Sequence, residues 1–183
     1  MFRGVAGFDI FKDDLDRSVF LAQARDSFDG SALRCLTWSL MDNHGHLASQ
    51  TREGSLSVGM HRLETRYAMY FNRRNQRRGH VVQNRFKSLL LDEETYLLRV
   101  VRYVMLNPVE GGIVSSLEDL EDYPWTSYPA LLGRSQPMLG ETSLTLRLFA
   151  DGEDAARREL RAWMRAGLHK RDPIATLLEA PPG

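Results

Sequence analysis

Two runs of β-forming residues joined by a short polar turn constrain the fold of this chain more than any other feature. The first run is Leu33-Arg34-Cys35-Leu36-Thr37-Trp38-Ser39-Leu40, and the second extends from His44 to Gln50. Asp42 and Asn43 lie between the runs, and these residue types favour turns because their side chains hydrogen-bond to nearby backbone. The sequence therefore predicts a β-hairpin over residues 33–50.

Helical patterns flank the predicted hairpin. Asp92 is a suitable N-cap for the third of these helices, which is predicted over residues 95–107. Pro108 is predicted to end this helix because proline disfavours the α conformation in the residue before it. Residues 81–91 predict a further strand or a short hairpin. No glycine-rich phosphate loop or series of parallel βαβ units is present, so we expect an α+β fold with an antiparallel sheet covered by helices. The segments predicted to be helical are residues 13–24, 55–72, 95–107 and 153–166.

Length and composition are those of a globular domain. The chain has 183 residues, which suits one domain with a substantial core, and its single cysteine, Cys35, excludes an internal disulfide. No apolar run approaches the roughly 20 residues needed to cross a bilayer, and the first residues lack the pattern of a signal peptide. We therefore expect a cytoplasmic protein without a membrane partner.

A basic segment stands out although the formal net charge is zero. Residues 62–87 hold eight cationic side chains against Glu64 alone. Aromatic residues interleave with these cations, and aromatic platforms beside phosphate-neutralising charges are typical of single-strand binding sites. The alternative is a solvated surface of the protein. The residues predicted to bind DNA are Arg62, Arg66, Arg73, Arg74, Arg77, Arg78, Arg85 and Lys87, and the interleaved aromatic residues are Tyr67, Tyr70, Phe71 and Phe86.

His44 and His46, in the second strand of the hairpin, are candidate metal ligands. Side chains at positions i and i+2 of a strand share a face, so both imidazoles can hold one divalent ion. Tyr103 and Asn107 share a face of the third helix, so Asn107 can complete the ligand set while Tyr103 presents a hydroxyl beside it. We expect Mg²⁺ or Mn²⁺, with nitrogen ligands favouring Mn²⁺. This set suits metal-assisted attack on a phosphodiester, whereas the ordinary alternative is a group of packed core residues.

The identity of the nucleophile remains open on spacing alone. Tyr96 lies seven residues before Tyr103, on roughly the same helix face, and is a rival. Arg99 shares that face and can supply the positive charge that a tyrosine nucleophile needs. A third possibility is a hydrolase that uses the two histidines with a water nucleophile.

Several blocks of the chain, in order, resemble a known family. Met41-Asp42-Asn43-His44-Gly45-His46-Leu47 is similar to the HUH motif of the single-tyrosine transposases, in particular the REP-associated tyrosine transposases and their insertion-sequence-200-like relatives. The resemblance extends over about residues 2–165. Its other blocks are Ile10–Arg17, Tyr70–Arg74, Arg85–Ser88, Arg102–Val109 and Tyr123–Tyr128.

The resemblance implies a ferredoxin-like α+β fold and cleavage of single-stranded DNA next to a hairpin. Tyr103, rather than Tyr96, would attack the phosphate and form a 5′-phosphotyrosine, while His44, His46 and Asn107 hold the divalent metal. The expected domain covers residues 1–135, followed by a C-terminal helical extension and disordered tail over residues 136–183. The expected partner is a palindromic DNA hairpin bound by a monomer or homodimer in the nucleoid.

Two departures from the family pattern set the expectations for this chain. Gly45 occupies a position that is usually bulky and apolar in the family. The family's first strand usually ends in an Arg-Gly block, which here falls at Arg3 and Gly4, so we expect a shortened first strand, either through a misplaced start codon or in a decayed copy. The alternative function is therefore that of a decayed or domesticated protein that binds hairpin DNA or RNA without cleaving it.

Overall fold

A computed structural model describes residues 1–29, 33–51, 55–83, 86–89 and 94–168. Three strands and seven α-helices lie in this part of the chain, together with a 3₁₀ turn at Val5–Gly7. In chain order the elements are β1 (Phe2–Arg3), α1 (Asp14–Asp29), β2 (Leu33–Leu40), β3 (His44–Thr51), α2 (Ser55–Arg74), α3 (Glu94–Glu110), α4 (Leu117–Leu120), α5 (Tyr128–Leu131), α6 (Thr142–Leu146) and α7 (Glu153–Gly167).

The sheet is antiparallel with the order β1-β3-β2. The predicted hairpin is confirmed as β2 and β3, and the short β1 pairs with the first residues of β3. An extended segment beyond α2 runs along the other side of β1, where Gly4 forms a bridge with Val82. With this segment the order is that of a β-α-β-β-α-β ferredoxin-like fold. The expected α+β class is confirmed, and β1 has two residues.

The predicted strand or hairpin over residues 81–91 is wrong for the part of that segment that the structure describes. The backbone bonds of residues 81–83 and 86–89 to the N-terminal residues are scattered. Among them, Gln83 donates to the Arg3 carbonyl (2.7 Å) and Lys87 donates to that of Met1 (2.9 Å). Because β1 is only two residues long, it offers no continuous ladder to pair with. Residues 84, 85, 90 and 91 lie outside the described residues.

One face of the sheet packs against α1 and α2 through an aromatic core. Phe20 of α1 contacts Tyr67 of α2 edge to face at 5.1 Å between ring centroids, and it stacks on Phe2 of β1 at 4.8 Å. A β-bulge between Cys35 and Thr37 changes the phase of β2. The bulge lets side chains from both halves of this strand enter the same core, whose β2 members are Leu33, Cys35, Trp38 and Leu40.

The opposite face of the sheet packs against α3. Ala48 of β3 forms one buried cluster with Val100, Tyr103 and Val104 of α3. The other side of α3 packs against the remaining helices in a second core, in which Val101 and Met105 meet residues such as Leu160 of α7. Helix α3 is therefore enclosed between the sheet and α4–α7, which fixes its position over β3.

The predicted helices are confirmed, with one error at the end of α3. The sequence predicted that Pro108 ends this helix, whereas the structure continues it to Glu110. Pro108 lies in the last turn of the helix, where its missing N–H removes one helical bond, and the carbonyls of this turn accept bonds from Gly111 to Asn107 (2.8 Å) and from Ile113 to Pro108 (2.9 Å). Asn107 consequently lies within the helix rather than at its terminus.

Gly45 has a direct steric explanation. It lies opposite Phe2 in the pairing of β1 with β3. A Cβ atom at this glycine would lie 2.3 Å from Cζ of the Phe2 ring and 3.0 Å from Cδ2 of Leu40. The ring of Phe2, which is only 2% exposed, therefore occupies the volume that a side chain at position 45 would need.

We expect Gly45→Ala to destabilise the protein by about 1–3 kcal/mol, the usual effect of overpacking a core. Urea unfolding measures this free energy. Phe2→Leu removes the ring that the new methyl group meets, so the double variant should lose less stability than the sum of the two single variants. Strict additivity of the two losses would contradict the steric explanation.

Candidate active site

His44 and His46 project from the same face of β3, as the strand period requires. Their ring centroids lie 5.3 Å apart with an interplanar angle of 77°. His46 is buried at 2% exposure, whereas His44 is half-buried at the mouth of the cluster. The predicted histidine pair is therefore brought together on the side of the sheet that faces α3.

Both imidazoles are held in the neutral form that a metal ligand needs. Burial, reinforced by the positive charge of Arg3, lowers the pKa of His44 to about 4. Burial also lowers the pKa of His46 well below its ordinary value. Because protonation competes with metal binding, these shifts keep both rings available as ligands at neutral pH.

Asn43 orients the ring of His44. Its Oδ1 atom lies 2.6 Å from Nδ1 of His44, and its Nδ2 atom donates to the Gly7 carbonyl at 3.3 Å. Since Oδ1 can only accept, Nδ1 of the neutral His44 donates and Nε2 keeps its lone pair. A histidine that donates one ring N–H to a second group is the usual arrangement around a bound metal.

Tyr103 packs directly against the histidine pair. Its ring centroid lies 5.2 Å from that of His46 at an interplanar angle of 86°, and the side chain is only 2% exposed. One turn further along α3, Nδ2 of Asn107 donates to the Tyr103 carbonyl at 2.8 Å. This bond uses the amide nitrogen and leaves Oδ1 of Asn107, the atom that can bind a cation, as an acceptor.

The donor set suits a divalent cation with open coordination positions. The described residues contain no group of three or more histidine, cysteine, aspartate or glutamate side chains that could hold a metal, so any site here needs the amide of Asn107 as well as the histidines. Ser39 lies opposite His46 in the sheet, and its buried Oγ has no hydrogen-bond partner within the described structure. Two imidazoles, one amide oxygen and a nearby hydroxyl fit Mn²⁺ better than a carboxylate-demanding ion.

Tyr96, the rival nucleophile, lies in the first turn of α3. It is 45% exposed, and the guanidinium of Arg99 lies over its ring at 5.9 Å from the centroid. Arg99, whose positive charge the sequence predicted to act on Tyr103, therefore lies beside Tyr96 in the structure. Tyr103 is the tyrosine in contact with His46.

The basic residues predicted to bind DNA divide into two groups in the structure. Arg66 pairs with Asp26, and Arg74 pairs with Asp13 and with the fully buried Asp16. The guanidinium of Arg77 lies 3.9 Å from the ring centroid of Phe8. These three arginines are engaged within the protein, mainly by α1. Three others are exposed and form no ion pair among the described residues, namely Arg62, Arg73 and Arg78.

The predicted aromatic platform is wrong for two of its members. Tyr67 and Phe71 are 1% and 0% exposed, because they belong to the apolar stripe of α2 that enters the aromatic core. The hydroxyl of half-buried Tyr70 donates to Asp16 at 3.1 Å. Phe86 and Lys87 are half-buried near β1, and Arg85 lies outside the described residues.

Arg3 is the cation that sequence reasoning missed at this site. It lies opposite His44 in the pairing of β1 with β3, and it is exposed. The relation depends on a tertiary pairing of a two-residue strand, which leaves no periodic pattern in the sequence. The orienting role of Asn43 was hidden for a different reason, because Asx side chains in turns usually bond to local backbone.

The fold defines a ferredoxin-like α+β domain with a histidine pair on a central strand and a tyrosine on the helix packed against it. It is similar to the solved structure of a REP-associated tyrosine transposase bound to a REP hairpin, with a TM-score of 0.50 and 19% sequence identity over 67% of this chain and 72% of that chain. No protein-family model matches the sequence, and no curated protein matches it significantly. The structural match establishes a shared fold, in agreement with the family resemblance of the sequence.

The lowered pKa of His44 generates a pH prediction. An exposed imidazole in the unfolded chain takes up its proton near pH 6.5, whereas folded His44 does so near pH 4. Between these values the unfolded chain binds more protons, so stability falls as the pH is lowered through this window.

NMR titration of the His44 ring measures this pKa directly, and urea unfolding between pH 7 and 4 measures its effect. His80→Gln is the control, because it removes an exposed histidine outside the cluster. A His44 ring that titrates near its ordinary value would contradict the buried arrangement.

Proposed function

We propose that the protein is a transposase-like nickase and ligase of single-stranded DNA, with Tyr103 as the nucleophile. The contact of the Tyr103 ring with His46, which is in turn next to His44, carries this proposal. It brings a phenol and a pair of neutral imidazoles to one place on the sheet.

The reaction would proceed by in-line transesterification. Oη of Tyr103 loses its proton to water and forms a bond to the phosphorus, while the bond from phosphorus to the 3′ oxygen breaks. The departing 3′ oxygen takes up a proton, and the 5′ end remains on the protein as a phosphotyrosine. The reverse attack by a 3′-hydroxyl rejoins the strand, so the bond energy is retained and no ATP is needed.

His44, His46 and Asn107 would hold a divalent cation, Mn²⁺ or Mg²⁺. Such an ion polarises the phosphate and stabilises the charge that develops during attack. The neutral rings and the oriented Nε2 of His44 support this assignment, as does the accepting Oδ1 of Asn107.

Hairpin DNA is the substrate that the available observations favour. The transposase with the similar fold is bound to a REP hairpin. Arg62, Arg73 and Arg78 form an exposed basic set on and just beyond α2, with charges that the protein itself does not neutralise among the described residues. No described helix combines the length and the apolar character needed to cross a membrane.

A second candidate function is hairpin binding without cleavage. The low exposure of Tyr103 favours it, since a phenol that is 2% exposed cannot meet an external phosphate without displacement of its cover. Binding through the exposed arginines would persist in such a protein, whereas covalent attachment to DNA would not occur.

We expect Tyr103→Phe to abolish formation of a covalent protein–DNA adduct on a labelled single-stranded hairpin in the presence of Mn²⁺. The ring and its contact with His46 remain, so only the nucleophilic oxygen is lost. Denaturing electrophoresis measures the adduct. Tyr96→Phe is the matched control and should leave adduct formation intact.

Three other results distinguish the alternatives. An unaltered protein that binds the hairpin but forms no adduct would support the non-cleaving function. Cleavage that survives Tyr103→Phe would indicate a water nucleophile. An adduct lost in Tyr96→Phe and kept in Tyr103→Phe would exchange the roles of the two tyrosines.

We expect Arg73→Ala to weaken hairpin binding and to reduce the slope of log affinity against log salt by about 0.7, the contribution of one phosphate contact to single-strand binding. Arg74→Ala is the contrasting variant. It leaves the carboxylates of Asp13 and buried Asp16 without their cation, so it should mainly lower the urea midpoint of unfolding. Binding titrations at several salt concentrations give the slope, and an unchanged slope in Arg73→Ala would show that this arginine is only a solvated surface residue.

A further inference from the structure

Arg3 lies on the same face of the sheet as the histidine pair. Directly opposed residues of an antiparallel pair have Cβ atoms about 5 Å apart on the same face of the sheet. Arg3 and His44 form such a pair. The side chain of Arg3 therefore extends from the same face as both histidines, and its charge acts on both rings.

The backbone around Arg3 is fixed from both sides. Its carbonyl accepts from the N–H of Gln83 at 2.7 Å, and the next residue, Gly4, donates to the Asn43 carbonyl at 2.8 Å. Gly4 itself has no room for a side chain, because a Cβ atom there would lie 2.0 Å from the Phe8 carbonyl oxygen. The neighbour on the other side, Phe2, is anchored in the aromatic core. The guanidinium thus extends from a rigid base.

The charge of Arg3 has no counterpart within the described protein. No ion pair includes it there, although arginines such as Arg66 and Arg74 are paired with α1. A cation held beside two ligands for a divalent cation is electrostatically unfavourable unless an anion lies between the two positive charges. The non-bridging oxygens of a phosphodiester would be such an anion, and a guanidinium binds them with two parallel hydrogen bonds.

We propose that Arg3 binds the scissile phosphate of the DNA strand and stabilises the charge that develops on its non-bridging oxygens when Tyr103 attacks. This proposal rests on the proposed function, since it assigns a substrate contact within that same site. It makes Arg3 part of the catalytic site, distinct from the arginines of α2, which would contact the DNA at a distance from the reaction.

The test compares Arg3→Gln and Arg3→Lys with the unaltered protein in single-turnover adduct formation on the hairpin with Mn²⁺. Arg3→Gln should slow adduct formation by about 100-fold, as for loss of one donor to a developing oxyanion, and Arg3→Lys should recover part of the rate. Arg34→Gln is the matched control, because Arg34 is also an exposed strand arginine, paired with Gln50 at the far end of the hairpin. It should retain the full rate.

Binding of Mn²⁺ alone, measured by electron paramagnetic resonance, provides a readout that does not depend on activity. If Arg3 serves the phosphate, Arg3→Gln should bind Mn²⁺ as tightly as the unaltered protein or more tightly, because a neighbouring positive charge is removed. Loss of Mn²⁺ binding would show that Arg3 only supports the structure of the site, and would overturn the proposal.

The two proposals fail in different ways. An adduct formed by Arg3→Gln at the rate of the unaltered protein would overturn the role of Arg3 and leave the nickase function intact. Absence of an adduct from the unaltered protein, with Mn²⁺ and hairpin both bound, would overturn the nickase function and the role of Arg3 together.

Discussion

The alternation of side chains along β3 is the constraint on which the rest of the structure depends. Odd-numbered positions of its first half, Gly45 and Leu47, face the aromatic core beneath α1 and α2. Even-numbered positions, His44, His46 and Ala48, face α3. A shift of the strand by one residue would exchange these two sets, so the aromatic packing on one side fixes the imidazoles on the other. The stability of the core and the geometry of the candidate site are therefore set by one register.

The arginines of the basic segment are also divided, between those paired within the protein and those exposed to solvent. Acidic residues of α1 neutralise Arg66 and Arg74 of α2, and the buried carboxylate of Asp16 also accepts from Tyr70. This pairing ties the two helices together and removes part of the basic segment from any role outside the protein. The exposed arginines that remain, Arg62, Arg73 and Arg78, are fewer than the composition of residues 62–87 indicated.

Local patterns in the sequence predicted the hairpin, the helices and the histidine pair, because each depends on contacts within a few residues. The helical pattern also explains why Tyr67 and Phe71 do not belong to an exposed aromatic platform. They follow Leu63 at four-residue intervals and so continue the buried stripe of α2. Residues 81–91 resembled a strand in composition, but pairing depends on the length of β1, which no local pattern reveals. The pairing of Arg3 with His44 likewise depends on the tertiary structure, so the sequence alone could not place these two residues together.

The fit between the Phe2 ring and the vacant position at Gly45 also has an evolutionary consequence. The two residues share one volume across the pairing of β1 with β3, so neither can enlarge unless the other shrinks. Relatives with a bulky residue between the two histidines are then expected to carry a smaller one at the position of Phe2. The exchange would keep the core filled while the histidines stay in place, and drift at these two positions would leave the chemistry of the site untouched.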